Sequence, residues 1–297
     1  MSSTQVNCPL CNSSQTRYHI SCKDHLVSDE TFDLVQCTDC GLVFTQNAPK
    51  PDEIGRYYES LNYISHSDTK KGLTARLYHL ARQVMLPAKR KTVQNFTGKT
   101  TGTLLDYGSG TGYFIRHMAD YGWETQGIEI DKGAREYAKE WTHLPVDSPE
   151  TLAALPDNHF DVITLWHVLE HVHDLTGTLS QFNRILKNGG HLVIALPNYT
   201  STDAQHYKEN WAAYDVPRHL WHFAPKTVKT ILSDNGFQLD ALKPLPLDAF
   251  YISMLSEKYQ GHSLALFRGI IHGFQSWLKS LRDQERSSSL TYIAVKK

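Results

Sequence analysis

Leu104-Leu105-Asp106-Tyr107-Gly108-Ser109-Gly110-Thr111-Gly112 reads as a buried strand, a glycine-rich turn and the start of a helix. Glycines at alternate positions let the backbone approach a ligand closely. The helix that follows, with Phe114, Ile115 and Met118 on one face, aims its N-terminus at that ligand. A second strand, Gln126-Gly127-Ile128-Glu129-Ile130, presents an acid about twenty residues further on, the spacing at which a doubly wound fold sets a carboxylate on a ribose diol. Asp106, Gly108, Gly110, Gly112 and Glu129 are therefore the candidate cofactor-binding residues.

A dinucleotide site would require G-x-G-x-x-G, with the third glycine where helix packs on strand. Here the third glycine is Gly112 and the next residue is Tyr113. The resulting G-x-G-x-G, together with Asp106, resembles motif I of the class I S-adenosylmethionine-dependent methyltransferases. In that family the loop wraps the amino acid end of the cofactor and no pyrophosphate has to be held.

The downstream order extends the resemblance. Phe160 to Trp166 is a nearly continuous apolar run suited to a strand buried on both faces. His167-Val168-Leu169-Glu170-His171-Val172 follows, and His167 and His171 are expected to flank the cofactor. Leu175, Leu179, Phe182, Ile185 and Leu186 then recur at helical spacing, and Asn188-Gly189-Gly190 supplies a left-handed stop before a strand from His191 to Leu196. Pro225 opens another helix with Val228, Ile231 and Leu232 inward, and Asn235-Gly236 ends it before Phe237-Gln238-Leu239. Leu290 to Val295 is expected as an antiparallel edge partner of that strand. The resemblance covers roughly residues 101–240 and the last strand. It implies an α/β, Rossmann-like, seven-stranded and mostly parallel sheet with the last strand antiparallel.

Cys8-Pro9-Leu10-Cys11 and Cys37-Thr38-Asp39-Cys40-Gly41 form a second signal. Two C-x-x-C knuckles can close a tetrahedral thiolate site, and a small segment with few core residues would need the metal to fold. Structural zinc on Cys8, Cys11, Cys37 and Cys40 is the expectation, with a strand or hairpin in Ile20 to Val35 and Cys22 left over. Disulfides are disfavoured in a cytosolic chain, and a redox pair would want one C-x-x-C at a strand-to-helix turn. The expected organisation is a zinc-ribbon module at 1–48, a helical connector at 49–100 and a methyltransferase core at 101–297, with a helical lid inserted at about 245–284.

In the connector, Tyr57, Tyr58 and Tyr63 precede a helix from about Thr74 to Phe96, with Leu77, Leu80, Ala81 and Val84 on one face. The helix packs on the sheet or, alternatively, the tyrosines line the mouth of the site. Lys89-Arg90-Lys91 reads as a solvated helix face.

In a doubly wound sheet the ligand crevice lies beyond the carboxyl ends of the strands, which selects the segments after Trp166 and Leu196. The second runs from Pro197 to Phe223, long for a connection and rich in aromatic residues and histidine. Within Asp215-Val216-Pro217-Arg218-His219-Leu220-Trp221-His222, His219 or His222 is the candidate general base or acceptor-orienting residue, and Arg218 the candidate holder of an anionic substrate group. The same histidines would equally serve to cap the next helix or pack in a polar core.

Ser263 to Leu281 places Leu266, Phe267, Ile270, Ile271, Phe274, Trp277, Leu278 and Leu281 at helical spacing. Such a helix covers a core as a lid, or makes shallow membrane contact through about 263–281. No run of eighteen apolar residues appears, and the polar start lacks the apolar stretch of a signal peptide, so a cytoplasmic location is expected. With 30 basic and 31 acidic residues the formal charge is −1, which gives no general attraction to nucleic acid.

The zinc knuckles followed by this core resemble the bacterial group that includes zinc-containing sugar C-methyltransferases. That resemblance implies methyl transfer from S-adenosylmethionine to a small-molecule or glycan-precursor acceptor. Two other functions stand beside it: an RNA methyltransferase that uses the zinc ribbon for recognition, and a non-catalytic zinc-ribbon scaffold on a Rossmann-like core.

Overall fold

A computed structural model describes residues 7–59 and 73–297, with 73–82 described by backbone alone. The N-terminal segment forms an antiparallel hairpin of β1 (Thr16–Lys23) and β2 (Thr31–Cys37), followed by a short β3 (Val43–Thr45). A fourth strand, β9 (Trp221–His222), completes this sheet from a distant part of the sequence, pairing Val43 with His222 and Phe44 with Trp221. The ribbon therefore shares its sheet with the long aromatic connection. The expected hairpin between the cysteine knuckles is present.

The large sheet has seven strands. They are β4 (Thr103–Tyr107), β5 (Glu124–Ile128), β6 (Val146–Asp147), β7 (Phe160–Trp166), β8 (Leu186–Pro197), β10 (Phe237–Pro244) and β11 (Ser289–Lys296), in the order β10-β11-β8-β7-β4-β5-β6. Pairings from β8 to β6 are parallel, while β11 is antiparallel to both β8 and β10. This is the Rossmann-like methyltransferase architecture expected from the sequence, with one correction. The last strand is internal, and β10 is the edge. Six consecutive buried residues, Ser289 to Ala294, need cover on both faces and both sides, whereas β10 alternates exposure along its length.

Helices α2 (Tyr113–Asp120), α4 (Leu175–Ile185) and α6 (Pro225–Asp234) bury the residues their periodicity predicts. α4 ends at Ile185 rather than at Asn188, because Leu186 already pairs with Phe160 in β8 and the chain makes its excursion through Gly189 within that strand. The connector helix α1 spans Leu73–Thr97. Tyr63 lies outside the described residues, as do the side chains of Leu77, Leu80 and Ala81. Val84 is exposed, and Leu86, Val93 and Phe96 instead face the sheet, packed with Leu104, Phe114 and Met118. Of Lys89-Arg90-Lys91 only Lys91 is exposed as a solvated face would be. The Lys89 ammonium sits 4.5 Å from the Trp166 ring centroid and the Arg90 guanidinium 3.7 Å from that of Tyr121.

The inserted segment folds as α7 (Pro246–Tyr259) and α8 (Ala265–Ser280). The apolar stripe of α8 does not cover the core. Gly269, Gly273, Ser276 and Ser280 are its buried positions, and a Cβ at Gly269 would stand 2.5 Å from the Met254 backbone. So close an approach of two helices needs small residues, which turns Leu266, Phe267, Ile270, Ile271, Phe274 and Leu278 outward. No helix among the described residues is long and apolar enough to cross a membrane.

Candidate active site

The carboxyl ends of β4, β5, β7 and β8 lie at one end of the parallel part of the sheet, beside the glycine turn, where a doubly wound fold has its ligand crevice. Gly108, Gly110 and Gly112 all have positive φ, at +77°, +53° and +81°. The turn lies so close to the segment after β7 that a Cβ at Gly108 would stand 2.3 Å from a Val168 methyl. Gly127 serves the same end from β5, since a Cβ there would meet Ser109 Oγ at 2.5 Å. Glu129 braces this loop: its carboxylate accepts from the Gly110 N–H at 2.7 Å and from the Asp131 N–H at 2.9 Å.

Asp106 is buried beneath the turn and accepts a hydrogen bond from Thr164 Oγ1 at 2.6 Å. Burial pushes its carboxyl up to about 7, against the Thr164 hydrogen bond and the Lys89 charge. Burial in turn pushes the Lys89 ammonium down to about 8, while the charges of Asp106 and Asp248 oppose that shift. Acid and ammonium are thus both poised near neutrality in one apolar surround.

His167 follows β7 with a positive φ of 59°. Its Nε2 lies 3.0 Å from Asp248 of α7 and its Nδ1 3.5 Å from Glu170. This joins α7 to the segment that follows β7.

The far wall is built by the Pro197–Phe223 connection. His219 is 8% exposed, its Nδ1 donates to the Ala213 carbonyl at 2.9 Å, and its ring packs edge-on against His171 with centroids 4.6 Å apart. His171 Nδ1 lies 3.0 Å from the Arg218 carbonyl and 3.0 Å from Tyr58 Oη. Burial, with the charge of His219, pushes His171 down to about 4.

Arg218 does not face the crevice as a substrate clamp. Its guanidinium is buried, donating to Asp24 of the ribbon at 2.9 Å, to Asp215 at 2.7 Å and to the Tyr57 carbonyl at 2.8 Å. Thr45 of β3 adds a hydrogen bond to the His219 carbonyl at 2.7 Å. Two ion pairs on one buried guanidinium, joined to two further hydrogen bonds, fix geometry, whatever their net energy. The ribbon is what positions the His219 loop.

The four cysteine sulfurs of the ribbon lie within 4.8 Å of one another, with Cys8 to Cys40 at 3.5 Å and Cys11 to Cys37 at 3.6 Å. A tetrahedral zinc with bonds of about 2.3 Å would set its sulfurs about 3.8 Å apart, so this donor set fits such an ion. Cys22, buried in an apolar cluster with Leu34, Val43 and Trp211, takes no part.

A family model described as a methyltransferase domain matches residues 78–242, more than half of the 297-residue chain. The chain belongs to that family. Among curated relatives, a ubiquinone biosynthesis O-methyltransferase from Paramagnetospirillum magneticum is 38% identical over a stretch covering 33% of this chain and 42% of that protein. A demethylmenaquinone methyltransferase from Tropheryma whipplei is 28% identical, covering 43% and 56%. The chain thus spans about two-fifths to three-fifths of the length of the curated relatives it matches. The solved geranyl diphosphate C-methyltransferase from Streptomyces coelicolor A3(2), holding geranyl diphosphate and S-adenosyl-L-homocysteine, superposes with a TM-score of 0.52 at 15% identity, covering 78% of this chain and 87% of that one. A SAM-dependent methyltransferase from Archaeoglobus fulgidus gives 0.50 at 23% identity, covering 72% and 94%.

In this methyltransferase domain Asp106, Gly108, Gly110, Gly112, Glu129 and His167 lie at or just beyond the carboxyl ends of β4, β5 and β7, and His219 stands with His171 and Glu170. His222 is not with them. It lies in β9, 4% exposed, with Nε2 at 3.1 Å from Thr45 Oγ1, and burial holds its imidazole neutral. Sequence reasoning gave no role to Glu170, Lys89 or Asp248. An acid between two histidines in His167-x-x-Glu170-His171 was a legible signal, as was a lysine on the same face as Leu86, Val93 and Phe96. Asp248 had none, since the lid is remote in sequence.

Proposed function

We propose that the chain transfers a methyl group from S-adenosylmethionine to a small-molecule or glycan-precursor acceptor. The glycine turn, Asp106 and Glu129 would hold the cofactor, with His167 beside it. The cofactor supplies a sulfonium methyl, which the acceptor's lone pair takes as the C–S electron pair returns to sulfur, leaving S-adenosylhomocysteine. Holding the acceptor close and in line with that methyl is then most of the catalytic task.

His219 is the residue proposed to orient the acceptor and receive its proton. The observation that carries this assignment is the hydrogen bond from Nδ1 to the Ala213 carbonyl, which leaves Nε2 as the basic nitrogen. His222 is proposed as structural. The ribbon is proposed to hold zinc on Cys8, Cys11, Cys37 and Cys40 and to act as a brace for the His219 loop. The division into 1–48, 49–100 and 101–297, with a lid at about 245–284, is kept on that understanding.

The curated relatives act, by their names, in ubiquinone and menaquinone chemistry, which supports a small-molecule acceptor over RNA. The exposed row on α8 supports peripheral contact with a lipid surface, which flotation with anionic vesicles tests. The acceptor class is tested with methyl-labelled S-adenosylmethionine and a host lysate, with and without nuclease. Label in low-mass or glycan fractions is expected. Nuclease-sensitive label in RNA would replace this reading with the RNA one.

A further inference from the structure

Glu170 is the most unusual side chain in the crevice. It is fully buried, neither carboxylate oxygen has a hydrogen-bond partner, and His167 Nδ1 at 3.5 Å is an ion-pair contact without hydrogen-bond geometry. A buried carboxylate left this way costs several kcal/mol unless a cation sits against it. Two imidazoles stand beside it: one ring nitrogen each of His171 and His219 and one Glu170 oxygen all lie within 4.8 Å of one another.

The tautomers of both rings follow from their other partners. A backbone carbonyl can only accept, so the contacts to the Arg218 and Ala213 carbonyls require Nδ1–H on His171 and on His219. Nε2 of each neutral ring then carries a lone pair. Fixing an imidazole through a carbonyl behind its protonated nitrogen is how proteins orient histidines that bind metals. The cluster therefore brings a buried carboxylate, in ion-pair contact with His167 but without a hydrogen-bond partner, together with two oriented imidazoles.

We propose that Glu170, His171 and His219 bind a divalent first-row transition cation such as Zn²⁺, Fe²⁺ or Mn²⁺, with coordination positions left for an oxygen of the acceptor. Two imidazoles and one carboxylate suit such ions, whereas Mg²⁺ and Ca²⁺ take oxygen ligands. This site is separate from the four cysteines, whose thiolates fill a tetrahedral shell by themselves. The role of the ion in transfer rests on methyl transfer as proposed above but replaces His219's part as proton acceptor: with the ion bound, His219 acts as a ligand, the ion would lower the acceptor hydroxyl's pKa, and the proton leaves from the coordinated oxygen to solvent. Binding of the ion does not depend on that reading.

The experiment titrates Co²⁺ into the full-length protein with zinc retained on the cysteines. One saturating equivalent with visible d–d absorption and no near-ultraviolet thiolate band is expected. Glu170→Gln and His219→Gln should each weaken this uptake at least tenfold, His222→Gln should leave it intact, and S-adenosylmethionine affinity reports that each variant is folded. In the wild-type protein, paramagnetic broadening of the His171 and His219 imidazole resonances needs no variant. Failure to saturate, broadening centred on other residues, or uptake indifferent to both substitutions would overturn the site. Loss of methyl transfer with cobalt binding intact would instead count against the proposed function.

Discussion

At the scale of the residue, the cofactor end of the crevice turns on Asp106 and Gly108. Asp106 is raised to about 7 by burial, so between about pH 4 and pH 7 the folded chain holds a proton that an unfolded chain has lost. Its contribution to stability is complete below the ordinary carboxylate range and is lost as pH rises through about 7. A sulfonium cofactor favours the ionised carboxylate. Its affinity should therefore rise from pH 6 to pH 8, with a slope that Asp106→Asn abolishes; calorimetry over that range measures both. Gly108→Ala adds a Cβ 2.3 Å from Val168 at a φ of +77°. It should cost about 1–3 kcal/mol of stability and at least tenfold in cofactor affinity, read by thermal melts and calorimetry. Val168→Ala should restore part of this loss, because it removes the clash and leaves the backbone strain. The glycine turn was legible because so few residues tolerate its φ values. Arg218 was misread as a substrate clamp because its partners, Asp24 and Tyr57, come from segments more than 150 residues away.

At the scale of the element, the ribbon and the Pro197–Phe223 connection are one unit. β9 completes the ribbon's sheet, Asp24 pairs with Arg218, and Thr45 holds the His219 carbonyl. Removing the zinc proposed on the cysteines should release this brace without touching the glycine turn. Chelation, or Cys37→Ser with Cys40→Ser, is expected to lower kcat at least tenfold while the S-adenosylmethionine Kd changes less than threefold. A parallel loss of cofactor binding would show the ribbon to be needed for the whole fold instead. The two knuckles were plain in sequence, and so was the hairpin between them. Their junction with β9 was not, since a two-residue strand has no periodicity to read. In α8 the eight apolar residues announced a buried face, yet Gly269 and Gly273 decide the packing, because helix approach distance is set by the small side chains.

At the scale of the whole molecule, the residues proposed to hold the cofactor stand at the ends of the parallel strands β4, β5 and β7, while the proposed acceptor side is assembled from pieces outside the sheet. The sheet was readable from alternating apolar runs and helix stops, down to the strand bounds of β7. The position of β11 between β8 and β10 was not, because pairing partners of a buried antiparallel strand leave no local mark. The acceptor wall combines His171 after β7, His219 from the long connection and Tyr58 from the connector, an arrangement only tertiary contacts reveal. The account's central claim is that these two sides serve one transfer reaction with separable tasks. The most direct measurement compares S-adenosylmethionine binding and methyl transfer to the lysate acceptor for wild-type and His219→Gln protein. The account predicts equal cofactor affinity and transfer reduced at least a hundredfold in the variant, which at 1.36 kcal/mol per tenfold is about 2.7 kcal/mol of transition-state stabilisation. Wild-type protein that fails to bind the cofactor, or a variant that transfers at the wild-type rate, would contradict it.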